Sequence, residues 1–356
     1  MSTHFNWRVQ YGRESATPKS KATAAFNSLR FEQRFDNGIG WAEHKFRFIN
    51  AEDLGDAIED LEGDTISFRI TNTDDSQQYE WKHQVVQAFV DYDATEGFPV
   101  RVLTKDLKNK LNLDERNIAH RFEDSFTEKV KSIVKESGLK TDKWESAEPI
   151  EEFKVLRQMN MTDYMFITQQ LIPRIPEAYV LYCSEGDKVN FHSLGYQAAT
   201  YAPEGFNPEV EERSNLQAAI AMGGGHLKCY GYDPKRKAVI FNDPPAGEED
   251  LSPSWGEDDP SYNGTRSLIT PFHTQEGLDA FNTTRHKHYA YHRYGVSAAF
   301  EGHIPEDGWK EPKILDLSST NYKDGKLQTG LMYAIEHTVR NSHYKVKIHS
   351  MKNKRN

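Results

Sequence analysis

Three histidines, His286, His288 and His292, are the side chains best spaced to hold a metal ion. On a helix His288 and His292 stand at i and i+4 on one face, a separation that suits zinc. A hydrolase built on such a centre wants a general base, yet Tyr289 stands where the glutamate would follow the first histidine. Arg285, Lys287 and Arg293 surround the trio and raise the electrostatic cost of binding a cation. The pattern reads first as a solvated basic helix face, with a zinc-dependent hydrolase as the alternative. Gly223-Gly224-Gly225 invites comparison with a phosphate loop, which ends in Gly-Lys-Ser/Thr and opens a helix. Here His226-Leu227-Lys228 begins a strand, so the glycines are expected to joint a Glu209–Met222 helix to that strand. Cleavage of peptidoglycan needs two carboxylates in a cleft. Acids are spread along the whole chain, and runs such as Glu248-Glu249-Asp250 fit a solvated loop. Neither Ser nor Cys sits in a nucleophile-elbow context. No residue is assigned a catalytic, cofactor-binding or metal role, and the chain is expected not to be an enzyme.

Whatever holds these residues must come from a chain of 356 residues, enough for two or three domains with cores of their own. A hydrophobic fraction of 37% with 12% aromatics supplies those cores, while 28% charged residues demand a large surface. An extended arrangement of small domains satisfies both. The net charge of -10 argues against a coat for nucleic acid, because phosphate binding needs clustered Lys and Arg. Only the tail, with Lys345, Lys347, Lys352, Lys354 and Arg355, is basic. Cys183 and Cys229 each lie in an apolar run and are expected buried and reduced. No apolar run of roughly eighteen residues occurs and Met1–Arg13 has no secretory core, so the chain is expected to fold in the cytosol.

The first third alternates with period two. Leu29, Phe31 and Phe35 alternate with charges, as do Phe46 and Phe48, and as do Ile66, Phe68 and Ile70. Further strands are expected over Trp81–Tyr92 and Phe98–Leu103, with a turn at Asp74-Asp75-Ser76 and one helical insert, Ala51–Leu61. The middle third changes to helical spacing. Ser125 and Glu128 form a capping-box pattern, Phe126, Val130, Ile133 and Val134 follow as an apolar stripe, and Gly138 stops the helix. A linker leads to a second helix, opened by Thr162 and Asp163 and ended by Pro173, then to a hairpin of Tyr179–Cys183 and Val189–Leu194. The last third returns to strands: His226–Tyr232 and Ala238–Phe241, then Lys313–Leu317, Gly330–Thr338 and His343–Ser350. Between them lie an acidic loop, Pro244–Thr265, and a helix-compatible stretch, Glu276–Tyr294. The expected fold is mainly β with an α+β insert: two β-barrels, residues 1–113 and 201–356, joined by a small α/β unit, residues 114–200.

In this order the modules resemble the hub proteins of contractile injection systems: the myophage baseplate hub, the late-control D family and the hub region of type VI secretion spikes. The likeness rests on Gly63–Ile70 (GDTISFRI) and the strand after it. It rests further on Phe122–Leu139, Val155–Ile175 and Ala178–Leu194, with Thr162, Asp163 and Phe166 on the T/S-D-x-x-F motif. Its third part is Gly330–Met351, with Gly330, Tyr333, His337 and Tyr344 in the places of a terminal hairpin. The resemblance implies a homotrimer whose barrels resemble tail-tube protein. Six barrels would form a pseudo-sixfold ring that joins the tail tube, or a tube-initiator protein, to a threefold central spike amid other baseplate proteins. It implies a place in the virion tail, assembled in the host cytoplasm. DNA would pass the lumen without specific binding, some of the negative charge would line that lumen, and neither a cofactor nor a membrane is involved. The charged faces of the early strands become candidate ring or tube surfaces. The acidic loop and the His-rich helix have no counterpart in the family, and no needle repeats or lysozyme domain follow the second barrel, as where the spike is a separate polypeptide. The alternative is a tail-associated peptidoglycan hydrolase or the zinc-dependent hydrolase.

Overall fold

In a computed structural model, the described residues are 7–13, 25–48, 65–72, 78–90, 98–122, 125–151, 153–176, 179–184, 188–193, 198–203, 207–214, 226–242, 265–270, 272–282, 294–302, 304–305, 308–322 and 328–352. The alternating segments of the first third become six strands: β1 (Trp7–Arg13), β2 (Ala25–Arg34), β3 (Trp41–Phe48), β4 (Thr65–Asn72), β5 (Gln78–Val90) and β6 (Phe98–Asp106). In β4, Ile66, Phe68 and Ile70 are buried while Ser67 and Arg69 are half-buried on the other face, as the pleat requires.

The middle third holds β7 (Glu115–Arg121), helix α1 (Phe126–Glu136), β8 (Lys140–Trp144), β9 (Val155–Thr162), and the hairpin β10 (Tyr179–Ser184) and β11 (Lys188–Ser193). Helix α2 occupies residues 163–174: one α turn, a wider π turn over Phe166–Leu171, and a tight 3-10 turn around Pro173. Ser125 stands at the N-cap of α1, but its side chain makes no capping hydrogen bond, which corrects the capping-box expectation. Gly138 ends the helix at φ +74°, donating its N–H to the Lys135 carbonyl at 2.9 Å. The stretch expected to be a linker is β9, paired with β7 in a two-stranded ribbon.

The last third contributes β12 (Thr200–Tyr201), β13 (Glu209–Ser214), β14 (His226–Asp233), β15 (Ala238–Asn242), β16 (Thr265–Ile269), helix α3 (275–282), β17 (Tyr294–Glu301), β18 (Ile314–Asp316), β19 (Thr329–Arg340) and β20 (His343–Lys352). Two helix expectations are corrected here. Residues 209–214 form a strand, because β13 pairs antiparallel with β17 and its Glu209 and Glu211 reach Lys345 and Lys347. The Glu276–Tyr294 stretch is helical only through residue 282, and Tyr294 already opens β17. His286, His288 and His292, Gly223–Gly225, the 51–61 insert, the 74–76 turn and the acidic loop up to residue 264 lie outside the described residues.

Strands from the two ends of the chain share one twelve-stranded sheet, in the order β1-β4-β5-β6-β3-β2-β19-β20-β17-β13, with β18 on β19 and β12 on β18. The seam is β2 against β19, where Phe31 stands opposite His337. The sheet curls back on itself: the Trp7 N–H of β1 donates to the Ser342 carbonyl in the β19–β20 turn at 3.0 Å, and its indole lies 4.7 Å from the Tyr344 ring. A single aromatic-rich core therefore runs through both strand sets, from Phe31, Phe68 and Trp81 to Trp309, Tyr344 and Ile348. A second core, around α1, α2 and the β10–β11 hairpin, fills the α/β unit. A third, small one packs the β14–β15–β16 sheet on α3. Cys183 and Cys229 are buried and form no disulfide. No described helix is long and apolar enough to cross a membrane.

Candidate assembly surface

The alternation that buries Leu29, Phe31 and Gln33 sends Arg30, Glu32 and Arg34 to the opposite face of β2. Register carries this face over neighbouring strands. Arg30 stands opposite Glu43 of β3, Lys45 opposite Arg101 of β6, and Glu32 opposite Glu336 across the seam. Ion pairs of mixed sign cover it: Arg30–Glu336 at 3.3 Å, Lys45–Glu43 at 3.6 Å, Arg101–Glu43 at 3.7 Å and Lys347–Glu211 at 3.2 Å. His349 reaches Glu336 at 2.9 Å and Ser297 at 2.8 Å. Burial acts to raise the Glu336 carboxyl, but His349 and Arg30 outweigh it and hold the group below the usual range. Exposed pairs of this kind contribute little stability. Their consequence is a broad face whose charges largely neutralise one another, which favours matching to a patterned partner over long-range attraction. The charged positions expected on the early strands are thus brought together, and the face extends onto the last third.

Behind this face the inner side of the sheet carries neutral histidines. His44 and His83 both hydrogen-bond the Thr104 hydroxyl, at 3.1 and 3.0 Å. One hydroxyl hydrogen serves two rings only if one ring donates and the other accepts, as neutral imidazoles can. Burial pushes both rings down to about 3. Across the seam His337 stacks on Phe31 at 4.2 Å and hydrogen-bonds the Tyr344 hydroxyl at 2.7 Å, and burial holds it well below the ordinary value. The terminal-hairpin residues thus act through packing. Gly330 belongs with them, since a Cβ there would come within 2.6 Å of Ser350 Oγ.

The α/β unit is fastened to the sheet by a polar clasp. Lys108 is fully buried, and its Nζ donates to the carbonyls of Gly38 at 2.5 Å and Leu181 at 2.8 Å. Asp106 accepts the N–H of Gly40 at 2.6 Å and of Lys108 at 3.0 Å. Burial pushes that carboxyl up, while the Lys108 charge and the two amides pull it down. Asn37 spans the joint, accepting the Leu181 N–H at 2.8 Å and donating to the Tyr179 carbonyl at 3.3 Å. Its own carbonyl accepts the Tyr164 hydroxyl of α2. Arg34 grips Asp36 through two nitrogens, at 2.8 and 2.5 Å. Burial opposes ionisation of Asp36, yet the guanidinium holds its carboxyl below the ordinary range. None of these groups stood out in the sequence.

Thr162 caps α2, its hydroxyl accepting the Met165 N–H at 3.2 Å. Asp163, expected as a simple helix-start residue, is buried and pairs with Arg116 at 3.3 Å while accepting Gln158 Nε2 at 2.9 Å. Gln158 Oε1 in turn bonds His120, whose ring stacks on Phe166 at 4.7 Å. A groove at the clasp brings His83, Asp106 and Cys183 together. His83 is engaged with Thr104 and Asp106 with two amides, so the trio has the makeup of a joint and not of a nucleophile and its base. No three metal-ligating side chains converge among the described residues.

No protein-family model matches the sequence, and no curated protein matches it. Solved structures do. A 43 kDa tail protein of prophage MuSo2 from Shewanella oneidensis superimposes with a TM-score of 0.62 at 10% identity, over 97% of this chain and 100% of that one. The tail protein from Neisseria meningitidis MC58 gives 0.60 at 9% identity, over 98% and 97%. An Escherichia coli type VI secretion component, described as structurally similar to the T4 bacteriophage tail proteins gp27 and gp5, gives 0.56 at 8% identity, over 96% and 76%. The chain has the β-rich fold of these proteins.

Proposed function

We propose that the chain is the structural hub of a contractile-tail baseplate and not an enzyme. In this reading it is a homotrimer whose two strand bodies, within residues 1–113 and 201–356, act as six tube-like units. They would join a sixfold tail tube to a threefold central spike around a channel for DNA, with residues 114–200 as the brace. The observation that carries the reading is the end-to-end likeness to two tail proteins, which covers 97% or more of this chain and of each of those two. Physics supports it as well. The side-by-side strand sets share one sheet, so each subunit offers two neighbouring walls to a repeating partner. The paired-charge outer face suits large, patterned contacts better than a cleft does. Light scattering on the purified chain, followed by electron microscopy, tests the reading. A trimer forming a threefold ring with a central channel is expected. A monomer under all conditions, or stoichiometric zinc with clearing of cell wall in a zymogram, overturns it.

A further inference from the structure

Ten large hydrophobic side chains stand exposed among the described residues, and four of them, Tyr232, Val239, Phe241 and Ile269, lie on one small sheet, β14–β15–β16. The inner face of that sheet is taken up by α3: Cys229 and Ile240 pack with Phe272, Leu278 and Phe281 in the third core. Alternation turns the neighbouring residues outward. Tyr232 stands opposite Val239, Tyr230 opposite Phe241, and Tyr230 beside Ile269 across the parallel pair. The Tyr230 and Phe241 rings lie 6.3 Å apart, and Ile269 is 87% exposed. The result is a contiguous apolar face across all three strands, of a kind that soluble monomers rarely leave open.

Width and rim define what fits this face. Three strands about 4.8 Å apart span about 10 Å, the diameter of one α-helix. On the inner side α3 already makes that fit, with Leu278 and Phe281, three positions apart, in the core. A sheet that is apolar on both faces takes a helix on each. The end of the outer face at Tyr232 and Val239 is closed by the 233–237 turn, in which Lys235, Arg236 and Lys237 are exposed. Asp233 is the one acid between positions 226 and 242. It is engaged, accepting the N–H groups of Lys235 at 2.8 Å and Arg236 at 3.1 Å and pairing with the Arg236 guanidinium at 3.6 Å. The turn therefore keeps a positive balance in a chain of net charge -10, which favours acids beside the apolar stripe of a partner. The platform is also anchored. Glu151 of the brace accepts the Thr274 N–H at the start of α3 at 2.9 Å, and the Arg174 guanidinium lies 5.8 Å from the Phe272 ring centre. A face fixed in this way loses little freedom when it binds.

We propose that the outer face of the β14–β15–β16 sheet docks an amphipathic, acid-flanked helix of a partner protein. The apolar stripe of that helix rests on Tyr232, Val239, Phe241 and Ile269, and its carboxylates meet Lys235 and Lys237. The inference does not depend on the hub reading, since it rests on this sheet and not on the oligomeric state of the chain.

The test uses the full-length chain and a labelled helical peptide of about eighteen residues, with Leu at helical spacing on one face and Glu flanking it. Two control peptides carry Lys in place of Glu, or Ser in place of Leu. Saturable binding of the Leu/Glu peptide is expected in fluorescence anisotropy. The double variant Val239→Asp/Ile269→Asp should weaken it by about tenfold or more, and Lys235→Glu/Lys237→Glu by less. Met159→Asp, at an exposed site on the β7–β9 ribbon, should leave it unchanged. All these substitutions are at exposed positions, so melting curves like that of the parent chain are expected. Absence of binding, equal binding of either control peptide, or equal loss in Met159→Asp overturns the proposal. Two measurements cover the other occupants. A lowered melting temperature in Val239→Asp/Ile269→Asp would mean that the chain's own residues cover the face. Self-association in sedimentation, abolished by the same double variant, would make a second copy the partner. Either result overturns the proposal too.

Discussion

At the β2–β19 seam Phe31 lies between Trp81 at 4.6 Å and His337 at 4.2 Å, above a backbone ladder whose outer face carries the exposed Arg30–Glu336 pair. At the clasp Lys108, Asp106 and Asn37 thread buried polar bonds between the sheet, the β2–β3 loop and the β10 strand. Both unite segments far apart in sequence, by opposite means. Apolar stacking is tolerant of direction, and its strength scales with the surface removed from water. A buried ammonium on carbonyl oxygens is directional: it allows one arrangement and penalises every other by leaving polar groups unmet. The seam therefore supplies stability to the strand bodies, whereas the clasp fixes the angle at which the brace meets them.

The comparison can be broken by mutation. Phe31→Ala should cost about 3–5 kcal/mol and loosen both strand sets together, because they share one core, as read from denaturant midpoints with exchange protection in β4, β5 and β20. If β20 keeps its protection while β4 loses it, the two sets are separate cooperative units. Lys108→Met should cost a similar or slightly smaller amount, about 3–5 kcal/mol, from orphaned carbonyls and an uncompensated Asp106. Its mark is different: exchange should rise at residues 35–40 and in β10 while the seam stays protected.

Acid sharpens the contrast. His44, His83 and His337 are neutral in the fold and far below the ordinary histidine value. The unfolded chain binds protons at these sites below pH ~6.5 and the folded chain does not, so their contribution is complete above that value. It is lost as pH falls from ~6.5 toward about 3, the value to which His44 and His83 are pushed. The expected slope is about 1.4 kcal/mol per pH unit for each histidine. His44→Gln/His83→Gln should flatten that slope in urea titrations between pH 7 and 5. The smallest effect belongs to the outer face. Arg30→Ala removes the exposed pair with Glu336 and should cost under about 1 kcal/mol, less still in high salt.

The seam was half legible in the sequence. Strands such as β4 announce themselves, because Ile66, Phe68 and Ile70 alternate with polar residues and face a core. That β2 would meet β19 could not be read, since pairing is set by the closing of the whole sheet. The clasp was invisible. Asp106-Leu107-Lys108 looks like a solvated turn, and the carbonyls that make Lys108 a core residue come from Gly38 and Leu181. The ribbon was hidden for a related reason: the fully buried positions of β9 are Gln158 and Thr162, so its hydrophobic pattern is inverted. The β13 segment, rich in glutamate, satisfies helix propensity and becomes a strand only because β17 offers it an edge. The charged surface positions, by contrast, follow directly from alternation once a strand is recognised.

The Arg30–Glu336 pair spans 306 positions of sequence, and the ladder beneath it does the same. During synthesis, β2 leaves the ribosome long before its partner exists. Phe31, Phe68 and Trp81 then remain without the His337 and Tyr344 side of their core until the final strands emerge. Completion is thus read out by the fold itself: a truncated product presents an unsealed strand and sticky aromatics, marks that chaperones and proteases recognise. High contact order makes the finishing step slow, so refolding from denaturant is limited by this late closure more than by the helices of the brace.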